Sequence, residues 1–238
     1  METVSEPPNH PPHSDHLEAI PWLQALGAAD RGWASAALRI APVRPHETIC
    51  RLGEVPTHWI GVVEGLVKMS SSAESGRAVT FAGFPAGAWF GEGTILKDET
   101  YQYDIQALQP SIVAWLPRAA FQRLLDESLG FNRFLMRQFN ERLGQFIAWK
   151  AAEQMLTLDE RLAQALGTLF DPALFPRVGD QLKISQQEVA YLVGTSRQQV
   201  NEALSMLLAA GAARAEYGGI RLLDLQRLRR YRSDGPSG

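Results

Sequence analysis

Ser185-Gln-Gln-Glu-Val-Ala-Tyr-Leu-Val-Gly-Thr-Ser-Arg-Gln-Gln-Val-Asn-Glu-Ala-Leu-Ser-Met-Leu-Leu208 holds two helix starts separated by one glycine. Ser185 with Glu188 is a capping box, in which the serine hydroxyl accepts from the Glu188 amide while the glutamate reaches back. It opens a short helix through Val189, Ala190, Tyr191 and Leu192, and Gly194 permits the sharp turn that follows. Ser196 with Gln199 is a second cap signature, and Val200, Ala203, Leu204, Leu207 and Leu208 form the apolar face of the helix it begins. Two short capped helices around a glycine turn predict a helix-turn-helix.

The opposite face of the second helix presents Arg197, Gln198, Asn201, Glu202 and Ser205. Such a face suits the DNA major groove: Arg197 can pair bidentately with guanine, Gln198 or Asn201 with adenine, and Glu202 can accept from the cytosine amino group. Lys183, Ser185, Ser196 and Gln199 complete the expected DNA-contact set around it. Any amphipathic surface helix turns polar residues outward, so the neighbouring sequence matters. Arg214 and Arg221 bracket Tyr217-Gly-Gly-Ile220, a hairpin signal that predicts a wing. Arg214 there can touch phosphate, a contact that positions a protein without reading sequence.

Charge agrees with this placement. The 238 residues carry a formal net charge of -3, yet residues 177–232 sum to +4 and residues 1–176 to -6. With 45% hydrophobic and 21% charged residues the chain is globular in composition. The charge-free apolar stretches around Ala78 to Gly91 and Ile105 to Pro117 contain proline and fall short of the roughly 18 residues of a membrane span. The N-terminus has acids where a signal peptide starts basic, so the expected location is the cytoplasm. The single cysteine, Cys50, excludes an internal disulfide and a cysteine-held metal, and is expected to be a buried small hydrophobe.

Upstream, residues 1–16 hold prolines 7, 8, 11 and 12 among polar groups and read as a flexible tail; these prolines break the helix on which His10, His13 and His16 could share a metal. Leu17 to Leu26 can form a short helix. From about 43 to 117, apolar runs such as Trp59-Ile-Gly-Val-Val, Gly65-Leu-Val-Lys-Met, Ala78-Val-Thr-Phe-Ala and Ser111-Ile-Val-Ala-Trp-Leu116 alternate with turn residues, the pattern of a β-sandwich or barrel. Glu64-Gly65 and Glu74-Ser-Gly-Arg77 are hairpin candidates. Beyond Pro117 the period becomes helical: Phe131, Leu135, Phe139, Leu143 and Phe146 lie on one stripe of a helix running to about Leu158. A stripe this long predicts self-association. Leu162, Ala165, Leu166 and Leu169 continue as a further helix, and Asp171-Pro172 with Phe175-Pro176 forms a loop.

From about residue 40 to 225 the chain resembles the cyclic AMP receptor protein and fumarate-nitrate regulator (Crp/Fnr) superfamily of bacterial transcription factors. The matching residues are Arg51-Leu-Gly-Glu54, Glu64-Gly65, Trp89-Phe-Gly-Glu92, Lys183-Ile-Ser-Gln-Gln-Glu-Val-Ala and Val193-Gly-Thr-Ser-Arg197. The resemblance implies an α+β chain: a cyclic-nucleotide-binding-like β-roll (jelly roll), a long dimerisation helix and a C-terminal winged helix-turn-helix. The expected divisions are a tail 1–16, a sensor 17–127, a dimerisation helix 128–158, a DNA-binding domain 159–232 and a tail 233–238. Expected partners are double-stranded DNA, a second copy of the chain, RNA polymerase and a small-molecule effector, with no membrane. Dimers of this kind meet inverted half-sites about one helical turn apart.

Departures from the family bear on the effector. In nucleotide-binding members the Gly-Glu pair holds the ribose, and an arginine about ten residues on neutralises the cyclic phosphate. Gly91 and Glu92 are retained, but that arginine position falls on Tyr101 or Gln102. The positions that meet the purine fall on the apolar Phe146 and Ile147. A buried phosphate without a cation is poorly compensated, so these six residues form a candidate pocket for an effector other than cyclic AMP, or one filled by its own side chains. No resident cofactor is expected: cluster-binding members need several cysteines, and haem would need an axial ligand such as His46 or His58, whereas a lone histidine in a β domain is more often a surface or hydrogen-bonded residue. Many relatives also carry Arg-Glu and then Arg four residues on, whereas this chain has Arg197-Gln198 and Glu202, so their half-site is not assumed.

An enzyme is not expected. A cupin needs a close His-x-His pair, whereas His46 and His58 are twelve residues apart. Neither a Gly-x-Ser-x-Gly elbow nor a phosphate-binding glycine loop occurs. The competing reading is a module whose winged helix binds protein, which salt-dependent DNA affinity would separate.

Overall fold

The computed structural model describes residues 14–72, 78–172, 174, 175 and 177–233. Expectations placed on residues 1–13, on the 74–77 turn, on Pro176 and on the tail from 234 lie outside them. The chain divides into two units, 1–140 and 141–238.

The first unit begins with helix α1 (Ser14–Glu18), a 3-10 turn at Pro21–Ala25 and helix α2 (Ala28–Ala37). Strands β1 (Arg39–Val43), β2 (Thr48–Cys50), β3 (His58–Glu64), β4 (Leu66–Ser72), β5 (Ala78–Pro85) and β6 (Trp89–Phe90) follow. Helix α3 (Glu92–Lys97) then leads to β7 (Asp104–Ala107) and β8 (Ser111–Pro117). The strands make two antiparallel sheets, ordered β1-β8-β3-β6 and β2-β7-β4-β5. The two-sheet β architecture expected from the alternating apolar runs, and the β-roll that the resemblance implies, are therefore present. The Glu64-Gly65 hairpin is not: β3 and β4 belong to different sheets, and Gly65 (φ 96°) turns the corner between them. Ser111 fills the space a side chain at 65 would need, and its Oγ accepts from the Leu66 amide at 3.3 Å.

One aromatic cluster holds the first sheet to its helices. Trp59 of β3 lies 4.4 Å from Trp89 of β6, 5.5 Å from Trp22 of the 3-10 turn, 5.2 Å from Phe121 and 5.4 Å from Phe131, centroid to centroid. Tilted and edge-on contacts of this kind contribute about 0.5–1.5 kcal/mol per pair beyond area burial. Phe121 belongs to α4 (Arg118–Glu127) and Phe131 to α5 (Leu129–Met155). Asn132 closes the break between these helices by donating its amide to Leu125 O at 2.7 Å and Ser128 O at 3.0 Å. Gly61 is the cross-strand partner of Trp89, and a Cβ at 61 would fall inside the indole.

The α5 stripe divides along its length. Phe131 and Leu135 are buried with the cluster, while Phe139, Leu143, Phe146 and Ile147 are exposed, the last three by more than half.

The second unit contains α6 (Leu158–Leu169), β9 (Gln181–Leu182), α7 (Gln186–Val193), α8 (Arg197–Ala209), β10 (Ala213–Glu216), β11 (Gly219–Leu222) and α9 (Leu225–Arg230). Its sheet runs β10-β11-β9. Leu162, Leu166, Val189, Val200, Leu204, Leu207, Ile220 and Leu228 are buried between helices and sheet. Leu208 departs from the expected apolar face and is half exposed, because Leu207 already takes the inward position of the last turn.

Candidate nucleic-acid interface

Local sequence sets the two helices that carry the expected contacts. Ser185 Oγ accepts from the Glu188 amide at 3.2 Å and starts α7; Gly194 ends it at φ 73°. Ser196 Oγ accepts from the Gln199 amide and Gln199 Oε1 accepts from the Ser196 amide, both at 3.3 Å, so α8 opens with a complete capping box. Gln199 also accepts from the hydroxyls of Ser196 and Thr195. Its side chain is thus engaged in the cap.

Arg197, Gln198, Asn201, Glu202 and Ser205 are all exposed on α8. Gln198 Nε2 donates to Glu202 Oε1 at 3.2 Å, Gln186 Nε2 to Asn201 Oδ1 at 3.3 Å, and Ser205 Oγ to Asn201 O at 3.0 Å. These bonds hold part of the row in fixed rotamers, and each is weak enough to be exchanged for a base edge. Lys183 and Ser185 are exposed just before α7.

The wing is the two-residue turn Tyr217-Gly218 between β10 and β11, with Gly218 at φ 73° and Tyr217 fully exposed. Gly219 must stay glycine here, since a Cβ would meet Leu182 O of β9. Arg214 donates to Glu216 Oε1 through Nε at 3.1 Å and Nη2 at 2.7 Å, and Arg221 Nε reaches the same oxygen at 2.7 Å. Arg221 Nη1 also holds Asp180 Oδ2 at 2.7 Å. The hydrogen bonds from Arg221 and then Arg214 hold the Glu216 carboxyl below its ordinary pKa, and Glu216 raises that of Arg221. The sequence points Arg214 at phosphate and gives no sign that Glu216 shares it.

A second feature that sequence reading misses is the C-terminal clasp. Asp224 accepts from the amides of Gln226 at 2.8 Å and Arg227 at 3.0 Å, an N-cap visible in Asp224-Leu-Gln-Arg that signals α9. Beyond α9, the Tyr231 hydroxyl donates to Asp159 Oδ2 at 2.7 Å and the Ser233 amide to Glu160 Oε1 at 3.1 Å, at the start of α6.

In the β-roll, Gly91, Glu92 and Tyr101 come together while Gln102 does not. Glu92 is buried and accepts from Trp59 Nε1 at 3.1 Å. Tyr101 is buried beside Gly91 and against Tyr103, and its hydroxyl reaches His58 O at 3.5 Å. Burial, with the nearby Cys50, pushes the Tyr101 phenol well above its ordinary range, so it is neutral and offers no cation. Gln102 is exposed and donates to Thr100 O. Phe146 and Ile147 belong to the other unit. The Glu92 carboxylate, expected at a ribose, accepts from an indole, and Tyr101, one of the two positions expected for the missing arginine, is a neutral phenol. Cys50 is buried, His46 exposed, and His58 shares a hydrogen bond with Thr57 Oγ1 at 2.9 Å.

Comparison with known proteins accords with both units. Residues 41–128 match the cyclic nucleotide-binding domain family and residues 160–231 the Crp-like helix-turn-helix domain family. The transcriptional regulator SdrP of Thermus thermophilus is 30% identical over 172 residues, covering 71% of this chain and 80% of that one. LdrP of the same organism is 29% identical over 187 residues, covering 77% and 92%. Among solved structures, FixK2 of Bradyrhizobium japonicum superposes with a TM-score of 0.67 at 19% identity, over 82% of this chain and 98% of that one. A Crp/Fnr-family regulator of Thermus thermophilus gives 0.58 at 27% identity, over 82% and 100%. A cyclic-nucleotide-binding fold joined to a Crp-like helix-turn-helix, with such relatives along most of its length, places the chain in the Crp/Fnr family of DNA-binding transcriptional regulators.

Proposed function

We propose that the protein acts as a homodimer on inverted DNA half-sites, reading bases through α8 and holding phosphate through the wing, in a manner independent of cyclic AMP. The exposed row of Arg197, Gln198, Asn201 and Glu202 on a doubly capped helix carries this reading. Residues 17–127 serve as the sensor, 128–158 as the dimerisation helix and 159–232 as the reader. The exposed half of the α5 stripe supports pairing with a second copy. The Trp59–Glu92 bond and buried Tyr101 support a β-roll that takes a different effector or none. RNA polymerase is the expected partner at the promoter, and the cytoplasm the expected location.

The test is selection from a random DNA pool with untreated protein, with and without cyclic AMP. The expected result is one palindromic motif in both. A motif that needs cyclic AMP overturns the effector reading, and no motif in either overturns constitutive DNA reading. With the motif known, Arg197→Ala should lose about 1–3 kcal/mol at one base pair, while Arg214→Ala should weaken all sequences alike. Equal losses for Arg197→Ala on specific and random DNA would remove it from the reading set.

A further inference from the structure

Helix α9 and the end of α8 enclose a groove of ≈ 730 Å³, entirely within the second unit. It is lined on the α8 side by Met206, Ala209 and Ala210, and on the other by Arg227, Arg230 and Arg232. Met206 is 55% exposed, while Leu204 and Leu207 of the same helix are buried. The arginine side is strongly basic. Among the described residues Asp224, which pairs with Arg227 at 3.5 Å, is the one acid lining the groove, and Arg230 makes no ion pair. Arg229 points elsewhere and is paired with Asp171 at 3.0 Å.

Two features separate this groove from the DNA-reading row. Ala210 lies thirteen residues beyond Arg197, some 20 Å along a helix axis at 1.5 Å per residue, and only Met206 adjoins the row, at Ser205. The α8 side is also apolar. Phosphates need cations but gain nothing from a methionine and two alanines, whereas a segment with acids on one side and aliphatic residues on the other can use both.

We infer that this groove docks an acidic, amphipathic helical segment of a protein partner, its carboxylates on Arg227, Arg230 and Arg232 and its aliphatic face on Met206, Ala209 and Ala210. Charge complementarity chooses the partner's sign and the apolar side its pattern. Arginine suits the basic side because its fork takes a carboxylate bidentately while the stem lies on apolar surface.

The test uses the full chain and a fluorescein-labelled synthetic 14-residue peptide with leucines on one helical face and glutamates on the other, read by anisotropy. An isomer of the same composition, scrambled to have no apolar face, is the control. The expected result is at least fivefold tighter binding of the amphipathic peptide than of its isomer. Arg227→Glu with Arg230→Glu, or Met206→Glu alone, should lose tenfold or more, while Arg197→Ala leaves peptide binding unchanged. Circular dichroism melting of each variant verifies folding, and the Met206 variant stands in should the arginine pair fail. Equal affinity for both peptides, no binding at all, or loss with Arg197→Ala overturns the proposal. So does a fall in random-DNA affinity for Arg227→Glu/Arg230→Glu equal to its fall for peptide, which would give the groove to phosphate. Sequence-specific DNA reading is measured separately, so its failure would not be confused with failure here.

Discussion

Trp59 donates its indole N–H to Glu92 across the interior of the β-roll, and both side chains are nearly sealed from solvent, at 1% and 4% exposure. The carboxylate that nucleotide-binding relatives present to a sugar here satisfies a donor that would otherwise be stranded among Trp22, Trp89, Phe121 and Phe131. A residue retained from the family pattern has become part of the core.

Glu92→Ala should therefore cost stability rather than ligand binding. Leaving a buried donor without an acceptor costs about 1–3 kcal/mol, read as a lower urea midpoint. Glu92→Gln keeps an acceptor and should lose less than half as much. A wild-type midpoint for Glu92→Ala would show that the bond contributes nothing.

The uncovered half of α5 predicts the assembly state. Leu143→Glu with Phe146→Glu places two charges on the exposed stripe and should convert a dimer to a monomer in light scattering. Affinity for a palindrome should fall at least tenfold, because each half-site must then be held alone. An unchanged dimer would put the interface elsewhere.

Glu216 restrains both wing arginines. Replacing it with Gln frees Arg214, leaves Arg221 held by Asp180 alone, and removes a negative charge beside the wing. Random-sequence DNA should bind more tightly, with a log–log salt slope steeper by roughly 0.9 per phosphate gained. Weaker binding would mean that the ion pair orients the wing rather than masking it.

Acid should loosen the second unit through the clasp. The backbone N–H of Thr157, followed by that of Ser233, keeps Glu160 below its ordinary pKa. Asp159 is also lowered, burial being outweighed by hydrogen bonds from Thr157 and Tyr231. A depressed carboxylate contributes stability that is complete above its unfolded pKa, about 3.9–4.3 for these groups, and lost as pH falls through the folded value. The melting temperature should hold down to about pH 5 and then decline, and Tyr231→Phe should flatten that decline. A profile identical to wild type for Tyr231→Phe would show that its hydroxyl has no part in it.

How much of the fold is legible in the sequence follows from the range of the interactions involved. Caps are written within four residues, so Ser185 and Ser196 announce α7 and α8 directly. Alternation likewise exposes the strands. Pairings across long separations leave no such signal: Tyr231 meets Asp159 over 72 residues and Trp59 meets Glu92 over 33. The Glu64-Gly65 turn reads as a hairpin because a glycine corner between sheets needs the same positive φ, and only strand pairing tells the two apart. Tyr101 reads as a missing arginine, but the burial of its ring beside Gly91 depends on the packed sheets.

Gly61 and Trp89, facing each other across β3 and β6, share one volume, since the indole occupies the space of the side chain that glycine lacks. A change at one position therefore calls for a change at the other. A relative with alanine or larger at 61 has to carry a smaller or displaced residue at 89, and it gives up the ring that braces Trp22 and Trp59. Neither position can therefore be varied alone without disturbing this corner of the β-roll.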